Sequence, residues 1–95
     1  MYELEFKSSV KKDFKKISKA DIGFIQESLY QFVEAFDSEY EQEFLKLGKI
    51  KKLQGESEDL YRLKLRRYRV IYKKEADRLV ILVLNVNSRE SAYRK

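Results

Sequence analysis

The residues best suited to chemistry lie in one stretch, Leu60 to Tyr72, LYRLKLRRYRVIY. With the strand period of two, Tyr61, Leu63 and Leu65 share one face and Arg62, Lys64 and Arg66 the other. The next run repeats the pattern, with Tyr68, Val70 and Tyr72 on one side and Arg69, Ile71 and Lys73 on the other. A tight turn at Arg66 and Arg67 then joins two amphipathic strands. If the turn has two residues, Leu65 faces Tyr68, Leu63 faces Val70, and Lys64 lies opposite Arg69. Like charges directly opposite destabilise a strand pair, whereas phosphate oxygens on that face would turn the repulsion into attraction. Cleavage of RNA by its own 2′-hydroxyl needs a base, positive charge for the pentavalent phosphorane, and an acid for the leaving 5′-oxygen. Arginines supply the second. A lysine crowded by Arg62, Arg66 and Arg69 would have its charged form disfavoured, and Lys64 is the expected base on that ground. Tyr93 could donate or accept a proton, or stack on a base. A cationic face with a tyrosine equally suits a sheet that binds RNA without cutting it.

Other chemistries are excluded by what the chain lacks. With no histidine and no cysteine among 95 residues, nucleophilic triads of the usual kinds, disulfides and thiolate zinc sites cannot be built. Glycine-rich phosphate loops are absent, and the carboxylates of the middle segment look like surface charge. No metal or other cofactor is expected. No apolar run approaches the roughly 20 residues of a membrane span, and MYELEFK lacks the order of a signal peptide, so a cytoplasmic protein without a membrane partner is expected.

The elements that must position the cations follow from periodicity. Tyr2, Leu4 and Phe6 alternate with Glu3, Glu5 and Lys7 as in a half-buried strand. Ser8 and Ser9 offer a cap to a short helix carrying Val10, Phe14 and Ile17, whose lysines, Lys11, Lys12, Lys15, Lys16 and Lys19, read as a solvated face. Asp21 is the cap candidate for a longer helix with an apolar stripe of Ile22, Ile25, Leu29, Phe32 and Phe36. Glu39 to Leu47 reads either as a third helical turn or as an irregular segment, with Tyr40, Phe44 and Leu47 inward and Gly48 ending it. Gln54 to Asp59 is a loop, and Leu79 to Val86 is an uninterrupted apolar run that should be central in the sheet and buried on both faces. The expected fold is α+β: one domain over residues 1–95, with an N-terminal strand and an α-helical hairpin packed on an antiparallel β-sheet.

Net charge is +5, distributed as +2 over residues 1–21, −6 over 22–45 and +9 over 46–95. The basic half is suited to a polyanion, and the acidic segment either stays away from it or meets another protein.

The stretch KKLQGESEDLYRLKLRRYRVIYKKEADRLVILVLNVNSRESAYRK resembles the C-terminal half of the RelE/ParE superfamily of toxins. The shared pattern is a basic-Leu run, a short loop, a LYR-type strand, a YRVIY-type strand, an apolar strand, and a closing arginine with an aromatic near the end. The preceding strand and helices match the family's order. The resemblance implies a RelE-like toxin silenced by a cognate antitoxin. RelE-like members cut mRNA in the ribosomal A site, and ParE-like members poison DNA gyrase. It also implies a catalytic set of Lys64, Arg69, Arg89 and Tyr93, with Arg62 matching the other basic residue of the first hairpin strand. Further RNA contacts are expected from Arg66, Arg67, Lys49, Lys51, Lys52 and Arg94. Two departures stand out: Ser88 lies where many relatives have histidine, and Arg62 where RelE has lysine. Arginine holds phosphate but is a poor base, so Lys64 remains the first choice. The hairpin turn lacks the family's glycine, which implies a wider loop or a strained turn.

The expected activity is therefore a ribosome-dependent, metal-independent endoribonuclease forming a 2′,3′-cyclic phosphate. A gyrase inhibitor and a non-catalytic RNA-binding relative are the alternatives.

Overall fold

The computed structural model describes residues 2–55, 59–75 and 77–88. Strand β1 (Glu3–Phe6) leads into helices α1 (Ser9–Phe14), α2 (Lys19–Ala35) and α3 (Ser38–Lys46). Strands β2 (Ile50–Lys52), β3 (Leu60–Leu65), β4 (Tyr68–Glu75) and β5 (Val80–Ser88) follow. They form one five-stranded sheet in the order β1-β5-β4-β3-β2. The pairs among β2 to β5 are antiparallel, as the sequence implies, whereas β1 joins β5 in parallel and makes the sheet mixed. The apolar run forms β5, flanked by neighbours on both sides, but the middle strand is β4. Val80, Ile81 and Val83 are buried, while Leu82 and Leu84 are only half-buried. Ile50–Lys52, to which sequence patterning gave no element, forms the edge strand β2, with Ile50 fully buried against Leu63.

The hairpin has the expected register: Leu65 pairs with Tyr68, Lys64 with Arg69, and Leu63 with Val70. Strand β5 departs from regular alternation. Ile71 pairs with Asn85 but Tyr72 pairs with Val83, so Leu84 is an extra residue bulged from the ladder. The bulge resets the parity of β5. Val83 and Val86, three apart, both enter the core, and Asn85 and Asn87 turn to the opposite face.

Strand β5 also outruns its parallel neighbour, since β1 ends at Phe6 opposite Val83. Beyond that point α1 takes over the edge. The Ser9 hydroxyl donates to the Leu84 carbonyl at 2.9 Å, and Asp13 Oδ2 accepts from the Val86 N–H at 2.8 Å. Residues four apart lie on one helix face, so two side chains supply what a β-strand would have supplied.

Helix α2 begins earlier than expected. Ser18 is its cap, accepting from the Asp21 N–H at 3.2 Å, which frees the Asp21 carboxylate for another role. Ile25, Leu29, Phe32 and Val33 bury the stripe of α2 against Val70, Tyr72, Ile81 and Val83. The third helix is present, capped by Asp37, which accepts from the Tyr40 N–H at 2.8 Å. Tyr40 and Phe44 stack at 4.3 Å between centroids, but Leu47, expected inward, is 60% exposed. Gly48 ends the segment with φ +77°, a value that disfavours any side chain.

One carboxylate of the acidic segment is buried. Glu41, 6% exposed, accepts from Lys74 Nζ at 2.8 Å and ties α3 to β4. Burial works against the Lys74 ammonium, but the Glu41 carboxylate outweighs it and raises the lysine's pKa. Burial first, and then the charge of Glu41, push the Tyr72 hydroxyl far above its ordinary value.

Removing the Asp13 carboxylate leaves a part-buried N–H unpaired at the bulge. Asp13→Ala is expected to cost about 1–3 kcal/mol, read from urea unfolding. Faster exchange of the Val86 amide should accompany the loss.

Candidate functional site

Cross-strand register assembles the site on the sheet face turned away from α2. One row runs Lys64, Arg69, Asn87, and the next runs Lys51, Arg62, Ile71, Asn85. Four of the expected residues, Lys51, Arg62, Lys64 and Arg69, therefore share one face across three strands. They are not equivalent. Lys64 is exposed, with its backbone N–H held by the Lys49 carbonyl at 2.8 Å. Arg62 is half-buried and donates from Nη2 to the Gly48 carbonyl at 2.9 Å. Arg69 is only 4% exposed.

The setting of Arg69 is unusual for a cation. Its Nη1 donates to the carbonyls of Arg66 (3.3 Å) and Tyr68 (3.2 Å), and its buried Nε has no partner. No carboxylate neutralises it among the described residues. A buried charge with only neutral acceptors is unfavourable, and an incoming anion would relieve the imbalance. Burial makes Arg69 a fixed positive field beneath the face, and a phosphate touches it directly only once neighbouring side chains move aside.

The other expected cations are held elsewhere. Arg66 lies over the Phe24 ring, 3.9 Å from its centroid, and Arg67 donates to Asp21 Oδ2 at 2.9 Å. Both are exposed, but they sit at the hairpin tip beside α2. Lys49 lies over the Phe44 ring at 5.2 Å, and Lys52 faces Asp59 at 3.4 Å. Arg89, Tyr93 and Arg94 lie outside the described residues.

Two residues that sequence reasoning missed belong to the face. Asn85 and Asn87 extend the two rows, and Asn87 Nδ2 donates to Asn85 Oδ1 at 3.1 Å. Their spacing of two within an otherwise apolar run was the available signal. No group of metal-ligating side chains occurs among the described residues.

Residues 4–93 match the family model for the ParE toxin of type II toxin-antitoxin systems. The chain belongs to the RelE/ParE toxin superfamily. Its fold is similar to that of the toxin in the archaeal RelE-RelB complex from Pyrococcus horikoshii OT3, at 26% identity and TM-score 0.64, over 93% of this chain and 94% of that one. The intact E. coli RelBE complex gives 24% identity and TM-score 0.65, over 93% and 96% of the two chains. The RelBE2 complex from Mycobacterium tuberculosis gives 20% and 0.60, over 93% and 98%. No curated protein sequence matches at a significant level.

In this member of the superfamily the glycine-free hairpin turn is strained rather than widened. Arg66 has φ +53°, a left-handed conformation that costs a non-glycine residue on the order of 1 kcal/mol. Asp21 offsets that strain. Its Oδ2 accepts from the Tyr68 hydroxyl at 2.6 Å as well as from Arg67, so the first turn of α2 grips the residue that closes the hairpin. The Tyr68 hydroxyl first, and then the Arg67 guanidinium, hold the Asp21 carboxyl below the usual carboxylate range.

A depressed folded-state pKa adds stability above the ordinary value, 3.8 for Asp21, and that stability is lost as pH falls through the lower folded value. Asp21→Asn is expected to flatten the acid limb below about pH 4, checked by urea midpoints across acidic pH. It should also lower stability at neutral pH.

Proposed function

We propose that this chain is the toxin of a type II toxin-antitoxin system and cuts mRNA in the ribosomal A site. The reaction is attack of the 2′-hydroxyl on its own phosphodiester, giving a 2′,3′-cyclic phosphate without a metal. The observation that carries this reading is the row of exposed Lys64 beside buried Arg69, a cation with no carboxylate among the described residues. Such a row offers one group able to move a proton and one fixed charge for the phosphorane.

Lys64 takes the 2′-proton as the 2′-oxygen bonds to phosphorus, the field of Arg69 stabilises the equatorial oxygens, Arg62 holds the adjoining phosphate, and the P–O5′ bond breaks as the 5′-oxygen takes a proton from water. Arg89 completes the phosphate clamp, and Tyr93 orients or stacks the nucleotide, both on the strength of the family resemblance. Lys51 extends the face along the backbone, with Arg66, Arg67, Lys49, Lys52 and Arg94 as outlying contacts.

The cognate antitoxin is the second partner. A groove of about 330 Å³ between α2, α3 and β3 has Phe24, Phe32, Phe44 and Leu63 in its walls and Lys49 and Lys64 at its rim. An apolar segment bearing acidic groups fits it, with a carboxylate placed to meet Lys49 beside Phe44. The relatives from Pyrococcus horikoshii OT3 and E. coli were solved with RelB, which is consistent with such a segment.

A gyrase-inhibiting reading is kept because the matching family model is that of a ParE toxin. A translation reaction with primer extension, run beside a gyrase supercoiling assay, separates the two. Ribosome-dependent cuts at A-site codons are expected, and Lys64→Ala should lower the rate by about a hundredfold or more, as loss of a general base does. Intact mRNA with blocked supercoiling would move the chain to the gyrase reading, and neither effect would leave a purely RNA-binding relative.

A further inference from the structure

Lys7, Lys11, Lys12, Lys15, Lys16 and Lys19, from the end of β1 to the first residue of α2, are all exposed, and none forms an ion pair among the described residues. The only acidic residue among them, Asp13, is turned inward to the Val86 N–H. Six cations fall within thirteen residues, with no acidic residue among them besides Asp13.

Their place in the fold connects them to the hairpin. Asp13 bonds at Val86, two residues before Ser88, and Ser88 pairs with Tyr68 across the sheet. Asp21 bonds the Tyr68 hydroxyl and Arg67. The connection from α1 into the first turn of α2, which carries Lys15, Lys16 and Lys19, is thereby anchored on both sides of the hairpin tip. Asp21, two residues after Lys19, is thus in direct contact with the hairpin tip, where Arg66 and Arg67 are exposed.

We propose that the α1–α2 connection is a second phosphate-binding surface, which takes the sugar-phosphate backbone of an RNA whose other part lies against the hairpin. The inference rests on the reading that RNA is the partner of this chain. The chemistry favours a nucleic-acid backbone over a protein or a membrane. Val10 is buried and Phe14 and Ile17 pack against the core, so the surface offers charge without an apolar anchor. Protein interfaces need a desolvated apolar centre, and stable membrane anchoring needs an inserted group beside the basic patch, whereas nucleic-acid phosphate contacts need only cations.

The test compares the full chain with a variant carrying Lys15→Gln, Lys16→Gln and Lys19→Gln, and with one carrying arginine at the same positions. Binding of a fluorescent RNA stem-loop is measured across salt concentrations, beside binding to phosphatidylserine vesicles. All three positions are exposed, so both variants should keep the parent's melting temperature. The glutamine variant is expected to bind RNA about tenfold more weakly, with the slope of log affinity against log salt smaller by about 2, and the arginine variant should match the parent. RNA binding indifferent to the glutamine changes would overturn the proposal, as would a loss of vesicle binding alone. Loss of RNA binding in a protein that proves not to cleave mRNA would uphold this surface while removing the nuclease reading.

Discussion

The arrangement turns on a mismatch of lengths: β5 has nine residues and its parallel neighbour β1 has four. The excess edge of β5 would present unpaired backbone groups, and Ser9 and Asp13 satisfy two of them from one face of α1. That bonding fixes where α1 lies. It also holds the bulge at Leu84, and the bulge decides which side chains of β5 reach the cationic face. Without the extra residue, Asn85 and Asn87 would share the parity of Val83 and enter the core as unsatisfied amides.

The fold treats its cations in three ways. Arg66 and Arg67 fasten the hairpin tip to α2 through Phe24 and Asp21, offsetting the strain of a turn without glycine. Arg69 is withdrawn beneath the sheet face and held by two turn carbonyls, so the geometry of the turn and the position of its guanidinium are linked. Lys64 and Lys51 stay in solvent on the same face. A desolvated charge next to an exposed one differs from a uniformly basic surface, because the buried charge is screened less by water.

The opposite side of the sheet has its own polar pair. Glu41 and Lys74 meet among Tyr61, Tyr72 and Phe36, with the Lys74 ammonium 5.0 Å from the Tyr61 centroid. The contact makes α3 part of the core layer, although its sequence is among the most acidic in the chain. A buried ion pair of this kind adds little net stability, but losing either partner strands a charge, so it favours one packing of α3 over others.

Local pattern determined the hairpin: alternation set its faces, and two residues between Leu65 and Tyr68 set its register. The stripe of α2, the run that became β5 and the identities of the basic residues were equally legible, because each depends on periodicity over a few neighbours. Tertiary structure decided the rest. Ser18 rather than Asp21 caps α2 because Tyr68 and Arg67, 47 and 46 residues away, take the Asp21 carboxylate. Ile50–Lys52 became a strand edge because β3 offered a partner, and β1 lies parallel because its connection to β5 passes through the whole chain. A one-residue bulge reverses side-chain parity, and local periodicity does not say where the extra residue falls, which is why the places of Asn85 and Asn87 on the cationic face were not read. Burial of Arg69 could not be foreseen either. It depends on which groups from distant segments crowd one guanidinium, and sequence alone does not specify that set.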